Sequence, residues 1–203
     1  LVQCLDKIPT WEINLTSGID NFVFSGVFGY FSDSNGEVVV IDSEGNQIYS
    51  QFHEDVNRLA ASKDGDLFAI AKTDGTLIIS TPSNQLLQNS SADESDIETI
   101  SQICFRQDGV LLACRDSLGF TLDDGPENRL ECWHSVRGLL HVSELPAISS
   151  SILPTKTGAI VGCNNGSLLR FTIGEEVRDY FNYNKHVKIK KIIELTSLIH
   201  QVT

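Results

Sequence analysis

Two interleaved series of turn dipeptides constrain what this chain can fold into. The members of one series recur every 39 to 47 residues, and those of the other every 44 to 49 residues. Most are Asn-Gly or Asp-Gly, which supply the positive φ angles that tight hairpin turns demand. The first series is Asn35-Gly36, Asp74-Gly75, Leu118-Gly119 and Asn165-Gly166, and the second is Asp64-Gly65, Asp108-Gly109 and Thr157-Gly158. This spacing predicts a repeated unit built from short antiparallel strands.

The runs between these turns are short and rich in β-branched and aromatic residues, which is typical of strands. No segment keeps a 3.6-residue apolar period with helix caps, so we predict no long helix. We predict four units of four strands, with a partial fifth, at residues 20–52, 56–88, 100–136, 148–181 and 187–203.

Four-stranded antiparallel units with a period of about 40–45 residues are typical of β-propeller blades. Each predicted sheet is apolar on both faces and must therefore pack against a neighbour on either side. A two-sheet sandwich has similar strand spacing, but it does not explain the paired turn series. The sequence therefore predicts an all-β fold, a β-propeller of about four four-stranded antiparallel blades plus a partial fifth.

Two details of this prediction concern the later units. In the third unit we place the third strand at 119–122 and the fourth at 129–136, which makes 137–146 an insertion. In the fourth unit we place the last strand at 175–181, so the strand-like run 187–195 begins the fifth unit.

Composition excludes several classes of protein. Hydrophobic residues make up 41% of the chain and charged residues 21%, which argues against wholesale disorder. A net charge of −12 disfavours a nucleic-acid binder, because phosphate backbones need basic surfaces. No apolar run approaches the ~18 residues of a spanning helix, so we expect no membrane insertion. Methionine is absent, so we expect a processed, truncated or incompletely represented chain.

The five cysteines are an odd number without a Cys-x-x-Cys spacing, which argues against a zinc site or a dense disulfide framework. Cys104 and Cys114 lie symmetrically about Gly109, so a hairpin there could place them opposite each other. The alternative is that both are small buried apolar side chains.

Motifs for chemistry are missing from the sequence. There is no phosphate-binding glycine loop and no Gly-x-Ser-x-Gly nucleophile elbow, and the five histidines are scattered. Asp33 to Glu37 superficially resembles a calcium loop, but a strand follows at once, so a hairpin turn explains it better. We therefore predict no catalytic residue, no metal ligand and no cofactor.

The stretch from His53 to Ser80 resembles a blade of the WD-repeat family. His53 stands before the first strand of that unit, and Asp74 stands in the tight turn between its second and third strands. Asp42 and Asp123 match the Asp of the family's Trp-Asp pair, although no unit has the Trp. The resemblance implies structural roles for these four residues. Quinoprotein-like propellers are a second choice, because their third strands are similarly degenerate.

The resemblance implies a non-enzymatic scaffold that binds protein partners through its rims, as a subunit of a larger protein or complex. The predicted insertion carries Leu139, Leu140 and Val142, which we expect to contact a partner. Four and a fraction blades fall short of the seven of a typical WD-repeat ring. We therefore expect missing sequence or another chain to complete the propeller.

Two other functions remain open from the sequence. One is an extracellular ligand-binding or adhesion propeller, which glycans at the sequons of Asn14, Asn89 or Asn165 would favour. The other is a quinoprotein-like enzyme domain. The scaffold hypothesis goes with an intracellular location, cytoplasmic or nuclear, and the identity of its partner is not encoded in any motif.

Overall fold

The computed structural model describes residues 2–5, 8–12, 17–83, 85–90, 98–117, 127–173 and 188–194. Strands β1 (Val2–Leu5) and β2 (Ile8–Glu12) form a two-stranded antiparallel sheet. The other sixteen described strands form four antiparallel sheets of four strands each. The predicted all-β fold with four-stranded antiparallel units is confirmed. Within the described ranges, no helix is long and apolar enough to cross a membrane.

In every four-stranded sheet, the order of strands in space follows their order along the chain. The first sheet contains β3 (Ile19–Ser25), β4 (Phe28–Asp33), β5 (Glu37–Ile41) and β6 (Gln47–Phe52). The second contains β7 (Val56–Ala61), β8 (Phe68–Lys72), β9 (Leu77–Ser80) and β10 (Leu86–Ser90). The third contains β11 (Glu98–Phe105), β12 (Leu111–Ser117), β13 (Asn128–His134) and β14 (Gly138–Glu144). The fourth contains β15 (Ser149–Thr155), β16 (Gly158–Cys163), β17 (Ser167–Thr172) and β18 (Lys188–Glu194).

The strand assignment predicted for the third unit is wrong in two places. The run predicted as its fourth strand is β13, the third strand, which pairs with β12 on one side and β14 on the other. The predicted insertion at 137–146 is instead mostly β14, the outer strand of the sheet. The predicted strand at 119–122 lies outside the described residues.

The segment predicted to begin a fifth unit belongs to the fourth sheet. Strand β18 pairs antiparallel with β17, with Phe171 opposite Ile189 and Ser167 opposite Glu194. It is the fourth strand of that sheet and does not start another one. The strand predicted at 175–181 lies outside the described residues.

Apolar clusters fill the three spaces between consecutive sheets. Tyr30 and Val40 of the first sheet pack with Phe68 of the second. Another cluster joins the second and third sheets, and a third joins the third and fourth. Burying both faces of a small sheet requires a neighbour on each side, which stacking of successive blades provides. The first strands β3, β7, β11 and β15 lie beside one another along this stack.

A β-bulge recurs at the same place in the first strand of all four sheets, where the register shifts just after Ile19, Val56, Ile100 and Ser149. The side chains that follow the bulge reach the next sheet. Asn57 Nδ2 donates to Ile100 O at 2.8 Å, and Arg58 Nε donates to Ser101 O at 3.1 Å. One sheet further on, Ser101 Oγ and Ser149 Oγ are 2.6 Å apart, and Gln102 Nε2 donates to Ser150 O at 3.3 Å. The bulge thus aims polar side chains that link neighbouring sheets.

Candidate functional site

A groove of about 410 Å³ lies between the first and second sheets, at the end of the sheets where β8 turns into β9. We call it the interblade groove. Its first wall is the end of β6 and the segment that follows it, and its second wall comes from β8, β9 and β10. The residues that line it are Phe52, His53, Glu54, Lys72, Thr76, Ile78 and Asn89.

Backbone contacts fix the first wall. His53 N donates to Gly36 O at 2.8 Å, which ties the end of β6 to the turn between β4 and β5. Gly36 has a φ of 89°, and a Cβ there would overlap the carbonyl of His53. Asp55 adopts a positive φ of 56°, and its carbonyl accepts from Thr73 N at 2.9 Å. The short segment between β6 and β7 is therefore held by one backbone bond to the first sheet and one to the second, at the mouth of the groove.

His53 is held in a neutral state. Its Nε2 lies 2.9 Å from the hydroxyl of Tyr49, a residue of β6. Burial lowers the pKa of His53, and the positive charge of Lys72 lowers it further. Burial also raises the pKa of Tyr49 to about 12, so that hydroxyl keeps its proton. At neutral pH this pair adds no charge to the groove.

Asp74 caps the turn that forms the second wall. Its Oδ1 accepts from Thr76 N at 2.9 Å, and its Oδ2 lies 3.2 Å from Lys72 Nζ. The side chain is 53% exposed. Burial acts to raise the pKa of Asp74, but hydrogen bonds from Thr76 and Lys72 outweigh it, and the pKa is lowered. The carboxylate is therefore ionised at neutral pH, and it neutralises the positive charge of Lys72.

The WD-repeat resemblance predicts structural roles for both His53 and Asp74. In the structure, Lys72 forms an ion pair with Asp74, and its charge also acts on His53. Their polar partners are separate: Tyr49 for His53, and Thr76 and Lys72 for Asp74. The predicted role of both residues in stability stays a prediction.

Asp42 caps a different turn, between β5 and β6 at the opposite end of the first sheet. Its Oδ1 accepts from Glu44 N at 2.9 Å and Asn46 N at 2.8 Å. Hydrogen bonds from Asn46 lower the pKa of Asp42. Asp123 lies outside the described residues.

The structure changes the surroundings expected for the predicted contact residues. Leu139, Leu140 and Val142 lie in β14 and not in an insertion, because β14 completes the third sheet. Leu139 packs against the cluster between the second and third sheets, and Leu140 against the cluster between the third and fourth. Only Val142 of these three is exposed, at 37%. Their contact with a partner stays a prediction.

Sequence reasoning missed a buried charge network in the third sheet. Glu131 Oε1 accepts from Arg115 Nε and Arg129 Nε, both at 2.9 Å, and its Oε2 accepts from Trp133 Nε1 at 2.9 Å. Arg129 also donates two bonds to Glu98. Two guanidinium groups and two carboxylates thus balance each other. The sequence contained a signal for this network. Arg115, Arg129 and Glu131 are charged residues within runs that are otherwise typical of buried strands.

This network also joins two sheets. Arg115 Nη1 donates to Gly75 O at 2.6 Å, and Gly75 belongs to the β8–β9 turn of the second sheet. The side chains of Arg115 and Glu131 are 3% and 4% exposed. Burial acts to raise the pKa of Glu131, but the charge of Arg115 and the hydrogen bonds outweigh it and lower the pKa. The charged groups of this network are thus hydrogen-bonded to partners within the protein.

Four cysteines lie at the interface between the third and fourth sheets, and all are free thiols: Cys104, Cys114, Cys132 and Cys163. Cys104 pairs with Leu112 and Cys114 with Gln102, so they are not opposite each other. Burial raises the pKa of Cys104, Cys114 and Cys132 to about 12. These thiols are therefore poor nucleophiles. Among the residues that the structure covers, no group of three or more His, Cys, Asp or Glu side chains could hold a metal ion.

No protein-family model matches the chain. No curated protein matches it either. Solved structures do. The computationally designed Ika4 protein superposes with a TM-score of 0.63 at 17% identity, over 79% of this chain and 94% of Ika4. The WD40 repeats of RRP9 give a TM-score of 0.61 at 12% identity, over 77% of this chain and 48% of theirs.

The dihydro-heme d1 dehydrogenase NirN gives a TM-score of 0.61 at 14% identity, over 79% of this chain and 36% of NirN. The chain thus spans about half of the RRP9 chain and about a third of NirN. At these identities the likeness concerns the fold. The predicted resemblance to WD-repeat propellers is confirmed at that level: the chain has a β-propeller fold similar to that of WD40 repeats.

Proposed function

We propose that this chain is a non-enzymatic protein-interaction scaffold, a propeller subunit of a larger protein or complex. The observation that carries the proposal is the interblade groove, an open site at the end of two rigid sheets. It has a volume of about 410 Å³ and is open to solvent. Its lining combines an exposed aromatic side chain with a few polar groups, a composition that suits contact with another protein.

The polar groups of the groove suit binding better than catalysis. His53 is bonded to a tyrosine hydroxyl and Lys72 to a carboxylate, so neither is paired with a nucleophile. A nucleophile triad needs a base in hydrogen-bond contact with a Ser, Cys or Thr, with a third group to orient the base. The similarity to NirN concerns the fold, and enzymes and scaffolds share propellers.

We further propose an intracellular location. The free thiols at the interface between the third and fourth sheets support it. Cysteines of proteins in oxidising compartments are commonly joined in disulfides, whereas cytosolic and nuclear proteins keep them reduced.

Site-specific photo-crosslinking tests the scaffold proposal. A benzophenone amino acid at Asn89, an exposed residue of the groove, should form a discrete adduct with a protein partner in cells. The matched control is the same amino acid at Lys63, an exposed residue in the β7–β8 turn at the opposite end of the second sheet. Adducts at Asn89 and not at Lys63 are expected. Equal labelling at both positions, or none at either, contradicts a partner site in the groove.

A further inference from the structure

The interblade groove has an apolar wall of its own. Phe52 is 61% exposed although it ends a strand, and Ile78 of β9 is partly buried beside it. An aromatic side chain exposed to solvent is a site where burial by a partner is favourable, because apolar surface is removed from water. The groove can therefore accept one apolar side chain between Phe52 and Ile78.

The charges around this wall are unevenly balanced. Lys72 is the lone cation of the groove among the residues that the structure describes, and Asp74 neutralises it. His53 is neutral, for the reasons given above. Glu54 lines the groove and Asp55 follows it, and both are exposed. The uncompensated charge at the mouth is thus negative, and it belongs to a chain whose net charge is −12.

The second wall ends in an edge strand. Within the described part of the second sheet, β10 pairs with β9 on one side only, with Asn89 opposite Ile78. The amides and carbonyls on the other side of an edge strand are available to an extended chain that lies along it. A flexible segment suits this place better than a folded surface does.

From these three features we infer that the interblade groove binds an extended cationic segment of a partner protein, with one apolar side chain inserted between Phe52 and Ile78 and flanking Lys or Arg residues facing Glu54 and Asp55. The inference rests on the proposed scaffold function and names the chemistry of its partner. Electrostatic attraction to the acidic mouth would accelerate encounter, and the apolar contact would set the lifetime of the complex.

Titration calorimetry with short peptides tests the inference. The probe is an amidated Lys-Arg-Leu-Arg-Lys peptide, compared with Glu-Asp-Leu-Asp-Glu and with Lys-Arg-Gly-Arg-Lys. The first should bind the chain, the acidic peptide should not, and the glycine peptide should bind at least about tenfold more weakly. Affinity should fall as salt rises from 50 to 200 mM, because the charges at the mouth are exposed.

Matched variants separate specific binding from general attraction to an acidic protein. Glu54→Lys should weaken binding of the leucine peptide by at least about tenfold, whereas Asp66→Lys, an equal charge change at the opposite end of the second sheet, should change it less than about twofold. Phe52→Ser should also weaken it, whereas Phe22→Ser, at a phenylalanine of similar exposure on the first sheet, should not.

Equal losses in Glu54→Lys and Asp66→Lys, or equal binding of the acidic and basic peptides, would overturn the inference. Its failure can be told apart from failure of the scaffold proposal. An Asn89 adduct whose cross-linked partner segment is acidic or neutral would refute the cationic occupant and leave the scaffold intact. The absence of any Asn89 adduct refutes the scaffold site itself.

Discussion

The interblade groove and the charge network of the third sheet contain similar side chains in opposite situations. Both hold basic and acidic groups within 3.5 Å of each other. In the groove, Asp74 is half exposed and Glu54 is exposed. In the network, Glu131 accepts from two arginines and a tryptophan and is almost wholly buried. A charged side chain is available to a partner only where it is exposed and where no opposite charge within the protein compensates it.

The difference predicts that stability and binding separate cleanly between the two regions. Changes in the network should alter the free energy of unfolding and leave peptide binding at the groove intact. Changes of Phe52 and Glu54, whose exposed side chains line the groove, should do the reverse.

The largest effect is expected for Glu131→Gln. The substitution leaves Arg115 and Arg129 to share the single carboxylate of Glu98, with one positive charge in excess, and breaking a buried pair costs about 3–5 kcal/mol. Urea unfolding should show the loss as a lower midpoint. Glu127→Gln, at an exposed carboxylate just before β13, is the control and should change stability by less than about 0.5 kcal/mol. A loss below about 1 kcal/mol in Glu131→Gln would mean that the network contributes little to stability.

The next largest effect is expected for Gly36→Ala, at the turn that holds His53. Positive φ costs a residue with a Cβ about 1–2 kcal/mol, and overlap with the His53 carbonyl adds to that. Gly166→Ala is matched, because Gly166 has a φ of 83° in the corresponding turn of the fourth sheet with no atom within 4 Å of its added Cβ. Thermal unfolding should therefore show the greater loss for Gly36→Ala. Equal losses would mean that the His53 carbonyl moves away from the added Cβ with no further loss of stability.

A smaller effect is expected for Asp74→Ala. The turn loses the acceptor for Thr76 N and the partner of Lys72, and a cost of about 1 kcal/mol is expected for a partly exposed cap. Asp66→Ala serves as the control, since its exposed side chain caps no turn. Unchanged stability in Asp74→Ala would leave the structural role that the WD-repeat resemblance implies without support.

The smallest effect is a change in acid sensitivity. The folded-state pKa of Asp74 is lower than its unfolded value of about 3.8, so its contribution is present above that pH and is lost as pH falls through the folded pKa. Melting temperatures measured from pH 6 to pH 2 should fall less steeply in Asp74→Asn than in the unchanged chain. Identical slopes would show that this carboxylate contributes no pH-dependent stability.

Most of the fold could be predicted because its tight turns contain dipeptides that favour turns in any protein. Gly36 and Gly75 adopt positive φ angles of 89° and 78° in turns of the structure, as the Asn-Gly and Asp-Gly dipeptides predict. The β13–β14 hairpin was missed because its glycine, Gly138 with a φ of 77°, follows Arg137, which is not a turn-forming residue. Strand β18 was assigned to a fifth unit because it is far from β17 along the chain. No local sequence pattern shows that the two strands pair.

The candidate site was only partly predictable. His53 and Asp74 stand at positions that the WD-repeat pattern marks, so the sequence indicates the region around them. The groove itself needs Asn89 and Phe52 from different sheets, and their proximity follows from packing that no local pattern encodes. The same reason hid the network, since Glu98 and Glu131 meet through the arginines of β12 and β13.

The most direct test of the central claim, that partners bind at the interblade groove, is an amide-resolved NMR titration of the chain with the Lys-Arg-Leu-Arg-Lys peptide. Chemical-shift changes should concentrate at 52–55, 72–78 and 89, and should saturate with a single affinity. They should be absent from the amides around Arg115 and Glu131. Changes centred on the third sheet, or spread evenly over the acidic surface without saturation, would contradict the account.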